Sequence, residues 1–230
     1  MELLTTHQVQ QILKVDRSTI YRMIERGRLQ ALRVGKQWRF SADAIARLLA
    51  NPPQAATHSV AGMLPVFYAQ GVQDALASLL GVMMVTTDMQ GCPITRVSNL
   101  CGFAQVLLQQ PDGFSRCMNG WRQLADLTPL EPTWQPSEMG LLCARGLVHH
   151  SGHLVGMVVV GGVPPSHWPP DDAKLMTIAR TFNVPFGQLK AGVSEVCWLS
   201  AEARALALRA VQQVADLFSL WIKERQHAQT

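Results

Sequence analysis

The sequence predicts an α+β chain of two unlike domains: a small, basic helical module with a β-hairpin, then a larger antiparallel-sheet domain closed by a long amphipathic helix. Three observations carry that expectation. Net positive charge is confined to the first fifty residues. An uncharged, proline-containing stretch, NPPQAATHSVAG, follows at 51–62. Beyond it short apolar and alternating runs dominate, until the last thirty residues return to helical spacings of three and four.

Residues 1–50 hold nine Lys and Arg against four Asp and Glu, net +5; residues 51–230 hold eleven against twelve, net −1. The overall +4 is therefore local, and it implies a polyanion partner bound through one end of the molecule. Thr5 and Gln8 have capping-box spacing ahead of a helix whose Val9, Ile12 and Leu13 share one face and which ends at Lys14. Asp16 caps a second helix over 17–26. Its Ile20, Met23 and Ile24 face inward, while Arg17, Ser18, Thr19, Tyr21 and Arg22 face out, and short donors beside arginines suit a major groove. After Gly27 the alternation Leu29, Ala31, Leu32, Val34 runs into Gly35-Lys36, and Trp38-Arg39-Phe40 returns. This predicts a two-stranded wing, with Arg33, Lys36 and Arg39 placed to pair with backbone phosphates and Trp38 and Phe40 packed beneath. Ser41 or Asp43 then caps a closing helix over 44–49.

This order of elements, and the run STIYRMIERGRLQALRVGKQWRF in particular, resembles the excisionase-like branch of the MerR winged helix-turn-helix family. The resemblance spans the first fifth of the chain and implies double-stranded DNA as partner and transcription regulation as role.

The expected organisation is a winged helix-turn-helix domain over 1–50, a linker over 51–64, a sheet domain over 65–198 and a dimerisation helix over 199–230. Residues 66–80 read as an amphipathic helix stopped by Gly81, 82–87 as a buried strand, Asp88-Met89-Gln90-Gly91 as a turn and 93–98 as a second strand. Helices follow over 103–109 and 113–127, then 141–149 and 154–163 pair as a hairpin across Ser151-Gly152-His153. Helix, strand–turn–strand, helical insertion and hairpin is the order of a PAS-like sensor, whose curved antiparallel sheet cups a small ligand. Through VMMVTTDMQGCPITRVSNLCGF, Cys117, LLCARGLVHHSGHLVGMVVVGGV and NVPFGQLKAGVSEVCWLSAEA the chain resembles the PocR-type sensory domain over most of 66–205, which implies a small-molecule effector.

Five cysteines, an odd number, in a chain expected to be cytoplasmic argue against a disulfide framework. Cys101, Cys117 and Cys143 sit in three different elements around the expected pocket. With His149 on the following hairpin they have the donor chemistry for zinc or an iron–sulfur cluster. Against that, no C-x-x-C pair occurs, separations of sixteen and twenty-six residues match no compact metal motif, and free cysteine is often simply buried. Cys92 and Cys197 read as structural. His149 and His150 point to opposite faces of a strand, so at most one meets the pocket. Asn99 and Arg145 are candidate polar anchors for a ligand alongside Cys101, Cys117 and Cys143, with turn chemistry as the other reading of Asn99. Met83, Met84, Met139 and Met157 read as core.

No nucleophile–base pair, glycine-rich phosphate loop or paired carboxylates are legible, and Asp171-Asp172 after Pro169-Pro170 reads as a helix start, so an enzyme is not expected. The chain opens on a polar amphipathic helix and has no apolar run long enough to cross a bilayer, which gives the cytoplasmic expectation and no membrane partner. The final element is capped by Ser200 and runs AEARALALRAVQQVADLFSLWIKERQ, with apolar positions at 203, 206, 210, 214, 217 and 221. That seam predicts a homodimer through the C-terminal helix, with docking on the chain's own sensor as the alternative. The expected whole is a one-component transcriptional regulator. The rivals are a metal, iron–sulfur or redox sensor using Cys101, Cys117 and Cys143, and a DNA-architectural accessory factor whose second domain binds a protein partner.

Overall fold

The computed structural model describes residues 3–13, 20, 31–34, 37–42, 45, 60–110 and 112–227, and the chain divides into two compact units, Met1–Thr57 and His58–Thr230. In the first, β1 (Leu3–Thr5) leads into α1 (Thr6–Leu13), and β2 (Leu32–Val34) pairs with β3 (Gln37–Ser41). The capping box forms: the Thr5 backbone N–H donates to Gln8 Oε1 at 2.8 Å, and the Gln8 N–H donates to Thr5 Oγ1 at 3.3 Å. The expected hairpin gains a third strand, because Leu3–Thr5 pairs with β3 and sets Leu4 opposite Phe40, giving the order β1-β3-β2. Leu4, Val9, Ile20, Phe40 and Ile45 make the core. Ile12, expected beside Val9 on the buried face, is 41% exposed.

The second unit begins earlier than the proline-containing stretch suggested. Val60–Met63 is a helical turn, α2, and both Val60 and Leu64 are buried in the sheet's core. Helix α3 (Val66–Leu80) stops at Gly81, whose φ of 66° supplies the left-handed cap. Then come β4 (Met83–Asp88), α4 (Gly102–Leu108), α5 (Gly113–Ala125), β5 (Gln135–Pro136), β6 (Leu142–His150), β7 (His153–Val163), α6 (Asp172–Thr181), α7 (Phe186–Gly192) and α8 (Ala201–His227). The antiparallel sheet has the order β4-β7-β6-β5. Ser151 and Gly152, at φ 48° and 77°, turn β6 into β7 with the positive dihedrals that match strand twist. Asp171 caps α6 as expected, accepting from the Lys174 N–H at 2.7 Å.

The expected strand over 93–98 is reduced to two bridges, Met84 to Ser98 and Thr87 to Pro93. Side chains replace the missing ladder. Gln73 is fully buried; its Oε1 accepts from Thr86 Oγ1 at 2.9 Å and Thr95 Oγ1 at 2.7 Å, and its Nε2 donates to Arg96 O at 2.8 Å and Ser98 Oγ at 2.7 Å. This network locks α3 to β4 and leaves no register for a regular strand.

The sheet has two covered faces. Met84, Val148, Val158 and Val160 pack beneath α3 and α8, whereas Val85, Leu147, Met157 and Val159 pack against Leu124 and Trp121 of α5. Helices α4, α6 and α7 form an adjoining cluster around Phe103, Leu107, Leu175, Ile178 and Phe182. Helix α8 docks on its own sheet, and the face it buries differs from the expected seam. Ala207, Val211, Val214, Ala215, Phe218 and Ile222 are buried, and of the predicted stripe only Val214 is; Ala203, Leu217 and Trp221 flank the contact and Leu206 is 47% exposed. The helix has two neighbouring apolar stripes, and the sheet takes the one that fits over Gly146. Among the described residues no helix is long and apolar enough to cross a membrane.

Candidate functional site

A cavity of about 270 Å³ lies on the face of the sheet opposite α8. Its floor is Met83, Val85, Val159 and Gly161 of the sheet. Helix α5 supplies one wall, because Cys117, Gly120, Trp121 and Leu124 recur at spacings of three and four and so share a face. Residues 135–143, which pass through β5 into β6, supply the opposite wall with Met139, Leu141, Leu142 and Cys143, and Phe182 closes one end. An apolar cavity of about 150 Å³ already takes benzene, so this one holds a larger molecule of one or two rings or a short branched chain.

Two charged side chains reach the lining, and they neutralise each other: Arg116 Nη1 lies 3.6 Å from Glu138 Oε2. Both are partly exposed, at 41% and 49%, and the Arg116 guanidinium sits 5.9 Å from the centre of the Phe182 ring. The pair is a rim feature, so an ionised ligand has no unpaired counter-charge waiting for it within the wall. Gln123, Gln135 and Ser137 add neutral polar groups, although the Ser137 hydroxyl already donates to Leu141 O at 2.7 Å.

Of the residues the sequence singled out for ligand binding, Cys117 and Cys143 line the cavity. Both thiols are pushed up to about 12, chiefly by burial, and for Cys117 the Glu138 charge adds to it. They are neutral at ordinary pH, and Cys143 Sγ makes a weak 3.6 Å donation to Gln135 O. Cys101, Asn99 and Arg145 lie outside the lining. Cys101 precedes α4 and packs into the neighbouring cluster. Asn99 takes a left-handed φ of 52° and its Nδ2 donates to Ala77 O at 3.1 Å and Val82 O at 3.0 Å, closing the end of α3. Arg145 is 3% exposed; its Nε donates to Leu124 O, and its Nη2 to Leu127 O at 2.8 Å and Pro129 O at 3.1 Å. A buried cation thus satisfies the end of α5, the helix that walls the cavity. His149 is exposed at the end of β6 and His150 is buried. Among the described residues no three His, Cys, Asp or Glu side chains converge to hold a metal ion, so Cys101, Cys117, Cys143 and His149 form no ligand set.

Among the lining residues that the sequence did not single out are Arg116, Gly120, Trp121, Leu124, Glu138 and Phe182. The shared face of 117, 120, 121 and 124 was available as a signal. The Arg116–Glu138 pair was not, because nothing local joins residues so far apart. In the first unit Arg39 follows Trp38 on β3 and its Nη1 donates to Trp38 O at 3.2 Å. Arg33 lies in β2, its side chain outside the described residues, as are Arg17, Ser18, Thr19, Tyr21, Arg22 and Lys36.

The raised thiols carry a prediction with a definite sign. In the folded chain Cys117 and Cys143 stay protonated up to about 12, while in the unfolded chain they ionise near 9.0. Their contribution to stability is complete below the lower value and is lost as pH climbs toward the upper one. Melting temperature should fall across that window in the parent, and fall less steeply in a Cys117→Ala, Cys143→Ala double variant. Parallel pH profiles for the two would refute this account of the thiols.

Residues 63–220 match the family described as a sensory domain found in PocR, and residues 3–52 match a family described as a helix-turn-helix domain. A helix-turn-helix module joined to a sensory domain defines a DNA-binding regulator with a sensor domain. The chain belongs to the PocR sensory-domain family, whose match takes in every wall of the cavity. A search of the curated proteins found no match.

Proposed function

We propose that this chain is a transcriptional regulator that binds duplex DNA through its N-terminal module and alters that binding when a small effector occupies the cavity. It acts without catalysis, as a homodimer whose contacts involve the C-terminal helix. The DNA contacts in this reading are the outward set of the second helix, Arg17, Ser18, Thr19, Tyr21 and Arg22, with Arg33, Lys36 and Arg39 of the wing on phosphates. The observation that carries the sensing role is the cavity itself: mostly apolar, walled by neutral thiols, with its two charges already paired. Such a wall favours a neutral, largely apolar molecule with one or two hydrogen-bonding groups over an anion or a sugar, because an unpaired charge brought inside loses hydration without replacement.

Indole and indole-3-carboxylate make the test, being close in size but one neutral and one anionic. A ligand that binds only the folded chain stabilises it by about 2.7 kcal/mol at a hundredfold excess over its dissociation constant. Indole at millimolar concentration should raise the melting temperature of the full chain, and the carboxylate should leave it unchanged. A larger rise with the carboxylate would overturn the neutral-ligand reading, and no rise with either would count against the cavity as the site.

A further inference from the structure

Helix α3 is amphipathic the wrong way round for a helix facing water. Its inward positions are Ala69, Gln73 and Ala77, while Phe67 is 84% exposed, Tyr68 67% and Leu79 81%. Sequence places Tyr68, Gly71, Val72, Ala75, Leu76 and Leu79 on one stripe, without a charge among them. The stripe continues onto α8, where Leu206 and Leu220 are 47% and 51% exposed and Leu217 and Trp221 are half-buried between the two helices. Trp221 joins Phe67, Tyr68, Gly71 and Val72 around a shallow groove whose lining also includes Gln70, Asp74 and Arg96. Five of the large apolar side chains that the second unit leaves in water are thus on these two helices. A face of this kind marks an interaction surface.

We infer that the outer face of α3, continued onto the exposed flank of α8, is where two copies of this chain meet. The inference rests on the proposed reading of the chain as a dimeric DNA-binding regulator, and gives that dimer its surface. Three features select a second copy. The stripe itself is uncharged, and the charges beside it at the groove, Asp74 and Arg96, are of opposite sign, so a two-fold axis through the stripe can set each against its opposite on the other copy. Its size also fits. Helices of 15 and 27 residues are roughly 22 and 40 Å long and each roughly 10 Å wide, so together they span roughly 600 Å², approaching the roughly 800 Å² that each partner gives to a stable protein interface. Finally, Gly71 lies in mid-helix with nothing within 4 Å of where a Cβ would stand, and Ala75 and Ser78 follow it, so two α3 helices can cross closely with Tyr68 and Leu79 packed to either side.

Sedimentation of the full chain at tens of micromolar, with and without indole, tests this. The parent should sediment as a dimer. Leu79→Arg and Tyr68→Arg, at opposite ends of the stripe, should each weaken dimerisation by about a hundredfold or more and give monomers with parental circular dichroism. Leu130→Arg, at an exposed leucine outside the stripe, should remain dimeric. Because the cavity is on the other face of the sheet, the monomeric variants should keep whatever stabilisation indole gives the parent. A monomeric parent, or dimers that survive both α3 substitutions, overturns the inference. Loss of indole stabilisation in the parent itself would instead strike the sensing proposal and leave the interface standing. A dimer broken equally by Leu130→Arg would show that the added charge, and not the stripe, is what matters, and would also overturn it.

Discussion

Gly146→Ala is expected to cost about 3 kcal/mol or more and to loosen α8 from the sheet. Gly146 sits in mid-β6 opposite Val158, directly under the last long helix. A Cβ there would stand 2.4 Å from Val211 O, 2.8 Å from Val211 C and 3.0 Å from Gln212 Cα. All three are backbone atoms of α8, so no side chain can swing away and the whole helix must lift. Lifting it uncovers Val211, Val214, Phe218 and Ile222, which is the costly end of overpacking. In a chain of this size about 3 kcal/mol corresponds to a drop of roughly 6–12 °C in melting temperature. A fall of only a degree or two would mean that α8 is less tightly seated than this geometry requires.

Arg145→Leu should destabilise by about 3–5 kcal/mol. The carbonyls of Leu124, Leu127 and Pro129 all end on this one guanidinium, and a leucine removes that shared donor, leaving Leu124 O only the 3.3 Å bond from the Leu127 N–H. Burial also lowers the pKa of the guanidinium, the signature of a cation kept in place by those bonds at a desolvation cost. Because Arg145 holds the end of α5 and the turn after it, the damage should spread to the cavity, and indole stabilisation should disappear in the variant at temperatures where it is still folded. Arg145→Lys keeps a charge but only a compact ammonium, and should recover a fraction of both losses. An Arg145→Leu variant that melts with the parent and still binds would show that the end of α5 does not depend on this residue.

What could be read from sequence was what local chemistry decides. The Thr5–Gln8 box, the stop of α3 at Gly81, the Asp171 and Ser200 caps and the 151–152 turn each depend on a few adjacent residues, and each formed as expected. Where a distant side chain intervened, the reading failed. Residues 93–98 read as a strand, yet Gln73, some twenty residues upstream, binds the Arg96 carbonyl and the Thr95 and Ser98 hydroxyls and holds the segment by side-chain bonds in place of a ladder. Helix α8 offered two apolar stripes at helical spacing, and the choice between them was made by Gly146 on another element. The cavity was half visible. Residue type alone picked out Cys117 and Cys143, whereas the neutralising contact between Arg116 and Glu138 exists only after folding. Arg145 reads as a polar anchor for a ligand, and the structure occupies it with backbone carbonyls.

The central claim is that a small neutral molecule sits in the cavity between α5 and the sheet. Gly120 tests it most directly, since it lines that cavity on α5 and has nothing within 4 Å of its Cβ position. Gly120→Phe places a ring in the cavity, and replacing a mid-helix glycine with phenylalanine favours the helix by about a few tenths of a kcal/mol, so loss of binding would not reflect loss of fold. Calorimetric melting of the full-length parent and the variant, each with and without indole, should show a rise for the parent and none for Gly120→Phe, with the variant alone melting no lower than the parent. An equal rise in both proteins would place the ligand elsewhere and contradict the account.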